Sequence, residues 1–250
     1  LTRSLEIGAD YIATGHYANV IQLENGRYAL KNSKTAAKDQ TYALYNLTQD
    51  QLSKTLMPVG CYEKDEIREI AERIGLNVAN KPDSQEICFI PDNDYGNYIR
   101  ENMPQVPGEG NFVTEDGEIL GKHKGIYQYT IGQRRGLGLA MGYHVFVTDI
   151  RPETNEVVIG SNDDLMSGRL YANQLNFMSV PDVKEGTRVL SKIRYNHRGS
   201  MATVKRIDSD LLECVFDEPK RAITPGQAVV LYDGEIVLGG GTIIGTRPNN

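Results

Sequence analysis

Apolar positions along the first hundred residues alternate between helical and strand spacing. Ile67, Ile70, Ala71 and Ile74 follow a helical period, and Gly75 closes that helix. Leu1 to Ile7 reads as the end of another helix, stopped by Gly8. Tyr11-Ile12-Ala13-Thr14 is a short β-type run that leads into Gly15-His16-Tyr17. Helix, strand and glycine-containing loop is the order of an α/β sheet, whose ligands sit at the carboxyl ends of strands. Val20–Leu23 and Arg27–Leu30 flank Asn25-Gly26, a type I′ hairpin signal. Asp39 is positioned to cap a helix over 41–45, and Asp94 one that runs through Ile99.

Past Pro104 and Pro107 the pattern shortens. Val145–Val147, Val157–Ile159, Val189–Ile193, Met201–Val204 and Val229–Leu231 read as strands, with hairpins at Asp116-Gly117 and Asp233-Gly234. The fold class is therefore α/β plus β. An α/β part over 1–100 is followed by a small β module over 101–165 and a barrel over 166–250, the last two meeting near 163–168. The segment after about residue 105 has its own turns and strands and is expected to be stable alone.

Hydrophobic content of 40% and charged content of 24% place the chain among ordinary globular proteins. No apolar run approaches the ~20 residues of a membrane span. The net charge of −6 argues against nonspecific coating of nucleic acid, but leaves room for a local basic face. Lys122, His123, Lys124, Arg134 and Arg135 cluster in sequence. So do Lys184, Arg188, Lys192, Arg194, His197, Arg198, Lys205 and Arg206. Three widely spaced cysteines form neither a disulfide framework nor a zinc pattern, which fits a reducing, cytoplasmic home. Leu1 is not preceded by a methionine, so the chain is expected to start inside a domain.

Cys88 stands out. It sits where the polar turn Lys81-Pro82-Asp83-Ser84-Gln85-Glu86 enters the apolar run Ile87-Cys88-Phe89-Ile90. Such a border shields a thiol yet leaves it reachable, and the thiolate is the reactive form. Cys61 precedes a helix, and Cys214 lies in a strand-like core run.

Five segments occur in order: Ala13-Thr14-Gly15-His16-Tyr17, Lys38-Asp39-Gln40, Asp83 to Phe89, Tyr129-Thr130-Ile131-Gly132-Gln133-Arg134-Arg135-Gly136-Leu137-Gly138, and Thr224-Pro225-Gly226-Gln227. Together they resemble the tRNA-specific 2-thiouridylase (MnmA, or TrmU) family, over essentially the whole chain. The resemblance implies a Rossmann-like α/β domain of the adenine-nucleotide-hydrolase type, represented by its C-terminal part, then a small mainly-β central domain and a C-terminal β-barrel. It implies ATP, with Mg2+, as the activator of a wobble uridine, tRNA as substrate, and a sulfur-relay protein as donor. No permanently bound cofactor and no protein-held metal is implied.

Carried over by position, Cys88 matches the persulfide-bearing cysteine, and Gly15 matches a glycine that contacts ATP. His16, Lys38, Asp39, Gln40, Arg194, Tyr195 and Gln227 match positions that meet tRNA. The family's phosphate-cradling loop and its second catalytic cysteine, which can form a disulfide with the first, have no counterpart within 1–250. The chain alone is therefore expected to be inactive. Two other readings remain open: an adenylate-forming or amidotransferase-like ligase of the same superfamily, which needs no catalytic thiol, and a non-catalytic tRNA-binding fragment.

Overall fold

The structure is a computed structural model that describes residues 1–76, 90, 94–103 and 105–248. It divides into two units, each with its own core. One comprises Leu1–Lys81, Gly168–Glu218 and Pro225–Asn250; the other comprises Pro82–Ser167 and Pro219–Thr224.

In the first unit, strand Ile12–Ala13 pairs in parallel with Thr55–Leu56. Helix Thr2–Glu6 ends as expected: Gly8, at φ +82°, donates to Leu5 O, and Ala9 donates to Ser4 O. Helix Lys64–Arg73 opens with a capping box between Glu63 and Glu66 and stops at Gly75, φ +77°. None of its residues is fully buried.

Six strands close a barrel in the order Ala228–Asp233, Thr187–Lys192, Ser200–Asp208, Leu211–Arg221, Met166–Phe177 and Ile236–Gly245, the last pairing back onto the first. Closure removes exposed sheet edges. Alternation within Leu211–Arg221 turns Leu212, Cys214 and Phe216 to the interior. Two of the six strands were not among those read from sequence. Met166–Phe177 mixes polar and apolar residues without a clean period. Ile236–Gly245 carries Gly239-Gly240-Gly241, which weakens a strand signal. The glycines are required by close packing: a Cβ at Gly240 would strike Val229 O and the Tyr45 ring, and one at Gly239 would strike Asn176 O.

The hairpin Asn19–Gln22 with Tyr28–Lys31 extends the barrel sheet through the pairing of Lys31 with Ile236. Its turn differs from the type I′ expectation. Gly26 lies at φ +81° and Asn25 does not have positive φ; Gly26 donates to Leu23 O and Leu23 donates to Arg27 O. This is a three-residue loop, a type I turn plus a left-handed glycine, in which the glycine alone absorbs the strained conformation.

Ala29, Leu30, Tyr45, Leu52 and Met57 share one core with Met178, Val230, Tyr232 and Val237 of the barrel. The barrel region thus packs Met178, Val230, Tyr232 and Val237 against residues 18–57.

The second unit is a four-stranded sheet in the order Ile119–His123, Gly110–Val113, Glu156–Gly160 and Phe146–Arg151. Its core is Phe112, Leu137, Val145, Val147, Val157 and Ile159. Helix Tyr95–Asn102, capped by Asp94 Oδ1 on Asn97 N–H at 2.9 Å, belongs to this unit.

Candidate nucleic-acid interface

Gly15 and His16 lie just beyond the carboxyl end of the parallel strand Ile12–Ala13, where α/β folds hold ligands. Gly15 is exposed, and a Cβ there would meet no atom within 4 Å. Among the described residues no neighbour requires a glycine at this position. His16 is exposed, with Nδ1 3.0 Å from Thr14 Oγ1.

The turn that follows the hairpin is held by its own polar side chains. Asp39 Oδ2 accepts from Ser33 N–H at 2.7 Å, and Oδ1 accepts from Thr41 N–H at 3.2 Å and from the Thr41 hydroxyl. Asp39 does reach the start of the Thr41–Leu44 turn, but it does so as a carboxylate clasp around a 3-10 helix rather than as the cap of an α-helix. Gln40 grips Tyr17 twice: its Oε1 accepts Tyr17 N–H at 2.8 Å, and its own backbone N–H donates to Tyr17 O at 2.9 Å. Lys38 ends the preceding 3-10 helix, Ala36–Lys38, with its side chain exposed.

This turn reaches the barrel directly. Thr41 Oγ1 lies 3.1 Å from Tyr232 Oη, and the Tyr42 hydroxyl donates to Ala228 O at 2.9 Å. Burial pushes the Tyr42 hydroxyl pKa up to about 12, so it donates throughout the physiological range. Tyr42 also meets Tyr195 edge-on, ring centres 6.2 Å apart. Arg194 and Tyr195 follow strand Thr187–Lys192, and the His197 N–H donates to Arg194 O at 3.0 Å, closing the turn that displays them. Tyr195 is 46% exposed. Gln227, one residue before Ala228, is exposed, and its carbonyl accepts Ile243 N–H at 2.7 Å.

Through one side chain, Tyr42, the turn thus touches two distant parts of the chain, the Tyr195 ring and the Ala228 carbonyl. Sequence reasoning passed over Tyr42 as part of a local helix. Its available signal was an aromatic residue two positions after the Lys38-Asp39-Gln40 triplet.

Cys88 lies outside the described residues. Cys61 is exposed and Cys214 is buried, both as free thiols. Burial pushes the Cys214 thiol up to about 12, which leaves it protonated and inert at neutral pH. Of the barrel cations, Arg188 binds Asp217 through two bonds of 2.6 Å, Lys205 lies 2.9 Å from Glu185, and Arg206 lies 3.1 Å from Asp182. These are solvated pairs that lower the free positive charge of the face.

The Tyr129–Gly138 motif is a built loop of the second unit. Gly132 donates to Val147 O and Val147 donates to Gln133 O, at 2.8 and 2.9 Å. Gln133 Oε1 accepts Thr130 N–H, and its Nε2 donates to Arg135 O, each at 3.0 Å. Leu137 is anchored in the core, while Arg134 and Arg135 are exposed. His123 departs from its place in the basic cluster. It is 1% exposed between Phe112 and Tyr129; Nδ1 accepts Gly125 N–H at 3.0 Å and Nε2 faces Asn155 O at 3.0 Å. That pattern requires the neutral ring, and burial lowers its pKa.

Residues 2–92 match the family described as tRNA methyl transferase HUP domain, 96–161 the tRNA methyl transferase PRC-barrel domain, and 167–243 the aminomethyltransferase beta-barrel domain. The chain is 65% identical over 244 residues to the tRNA-specific 2-thiouridylase MnmA of Lachnoclostridium phytofermentans, covering 98% of this chain and 68% of that protein. The corresponding protein of Clostridioides difficile is 55% identical, covering 96% of this chain and 67% of that one. That of Clostridium acetobutylicum is 52% identical, covering 97% and 68%. Among the described residues no helix is long and apolar enough to cross a membrane. With three consecutive domain matches and relatives more than half identical to it along almost the full length of this chain, the chain belongs to the MnmA family of tRNA-specific 2-thiouridylases.

Proposed function

We propose that the chain takes part in ATP-dependent 2-thiolation of a tRNA wobble uridine. The observation that carries this reading is Tyr42, two residues after the Lys38–Gln40 triplet, which bonds the Ala228 carbonyl beside Gln227 and meets the exposed Tyr195 ring beside Arg194. A guanidinium and an exposed ring side by side suit an RNA whose bases are splayed and stacked on such planes. Chemistry on a base requires its removal from the stack.

In this reading a sulfur-relay protein loads Cys88 with a persulfide; its terminal sulfur bonds C2 of uridine as AMP leaves, and the S–S bond is broken by the thiol of the family's second cysteine, which ends in a disulfide with Cys88. ATP, with Mg2+, supplies the activation that makes the C2 oxygen a leaving group. Gly15, open at the end of its strand, holds the nucleotide by backbone contact. Lys38 and Arg194 meet phosphates, Tyr195 offers a stacking face, and His16 and Gln227 hydrogen-bond the RNA. Asp39 and Gln40 contribute by fixing the turn that displays Lys38. Residues 1–100, 101–165 and 166–250 serve as the catalytic, central and barrel domains, and the site of action is the cytoplasm.

The test is cysteine replacement in a full-length protein carrying this segment. Cys88→Ser is expected to abolish 2-thiouridine formation, whereas Cys61→Ser and Cys214→Ala retain it. Thiolation by Cys88→Ser at the unaltered rate, or its loss in Cys61→Ser with the fold intact, would refute the assignment. A ligase of the same superfamily would be indifferent to Cys88.

A further inference from the structure

The second unit treats its cations in two ways. Arg151 lies 3.4 to 3.9 Å from Glu115, Asp149 and Glu156. Lys122, Lys124, Arg134 and Arg135 are all exposed and make no ion pair among the described residues. In a chain of net charge −6, four cations within fourteen residues, none in an ion pair among the described residues, form a local positive field.

These cations surround two hollows that share a ridge, Gly136-Leu137-Gly138. On one side Lys122, Lys124, Gln128 and Gln133 line a polar recess of about 330 Å3. On the other, Arg134, Tyr143 and His144 border an open hollow of about 340 Å3. The Tyr143 ring is 68% exposed. The ridge is rigid at its centre, where Leu137 is buried, and the flanking glycines sit at φ +76° and +69°. A Cβ at Gly138 would meet nothing within 4 Å, so a ligand can approach the backbone there.

Cations alone would suit any acidic partner. An exposed aromatic ring and a guanidinium bordering a hollow large enough for a nucleobase add a requirement that an acidic peptide lacks. Bases stack on aromatic and arginine planes, and the phosphates between them seek lysines. We infer that the 122–144 surface is an RNA-binding site of its own: it takes an unpaired stretch of tRNA, with phosphates against Lys122 and Lys124 and a base between Tyr143 and Arg134. The inference rests on tRNA being the substrate.

The experiment measures tRNA affinity of the 250-residue chain across a salt series, with unfolding midpoints recorded for every variant. Lys122→Ala/Lys124→Ala should bind more weakly at low salt. Its log affinity should fall less steeply with log salt, by about 1.4 units at ~0.7 per phosphate of single-stranded RNA. Tyr143→Ala should lose roughly tenfold in affinity with the slope unchanged, and Tyr143→Phe should bind like the parent. Parental affinity and slope in the lysine pair, or parental affinity in Tyr143→Ala, overturns this inference and leaves tRNA recognition elsewhere intact. A parent chain that binds no tRNA overturns both this inference and the proposed function.

Discussion

The two basic regions of the molecule are built on opposite plans. Around Tyr42 the polar residues are mostly spoken for: Asp39 clasps Ser33 and Thr41, Gln40 grips Tyr17, and Tyr42 bonds Ala228. On the 122–144 surface the loop is held by backbone bonds, Gln133 and Leu137, while Lys122, Lys124, Arg134 and Arg135 carry no ion pair among the described residues. A motif can thus be fixed in a family for two reasons, scaffold or contact, and only partners in space separate them. Asp39 and Gln40 hold the scaffold.

The contrast breaks most visibly through Tyr45. Its ring packs on Gly240 in the core shared by the N-terminal segment and the barrel. Tyr45→Ala should cost about 3–5 kcal/mol, as for other large aromatic truncations, read by denaturant unfolding. A loss under about 1 kcal/mol, small beside such truncations, would show that the barrel does not depend on this packing. Gly240→Ala adds a methyl where there is no room and should cost roughly 1–3 kcal/mol by the same measurement.

Asp39→Ala sharpens the contrast. It leaves Ser33 N–H and Thr41 N–H without their acceptor, and about 1–3 kcal/mol of stability should go. Its effect on tRNA affinity should follow from loosening of the turn. If Asp39→Ala weakened binding while the unfolding midpoint stayed put, Asp39 would be a contact residue instead.

Acid reports on the second unit through His123. Its folded pKa lies below the ordinary value near 6.5, so the unfolded chain takes up the proton first. Stability from the neutral ring is full above about pH 6.5 and declines as pH falls below it. His123→Gln should flatten that decline, as followed by unfolding between about pH 7 and pH 5. The smallest effect is at Cys214: with its pKa pushed up to about 12, it should resist alkylation at mildly alkaline pH in the native chain and react once unfolded, as seen by mass spectrometry.

Much of the frame was legible from local sequence. Gly8 and Gly75 end helices, Asp94 caps one, and all three glycine-marked hairpins form. What escaped was long-range. The barrel's closing strand is disguised by three glycines whose reason is the Tyr45 ring and carbonyls of neighbouring strands. His123 reads as one charge in a basic run, yet Phe112, Tyr129 and Asn155 make it a buried neutral ring. Gln40 and Tyr17 lie 23 residues apart, and no local pattern announces their bond.

The most direct test of tRNA recognition at the Tyr42 junction is the salt dependence of tRNA binding by Lys38→Ala/Arg194→Ala. Removing the two cations proposed to meet phosphates should lower the affinity at low salt and reduce the slope of log affinity against log salt by about 1.4 to 1.8 units. An affinity and slope equal to those of the parent would contradict the placement of tRNA on this face.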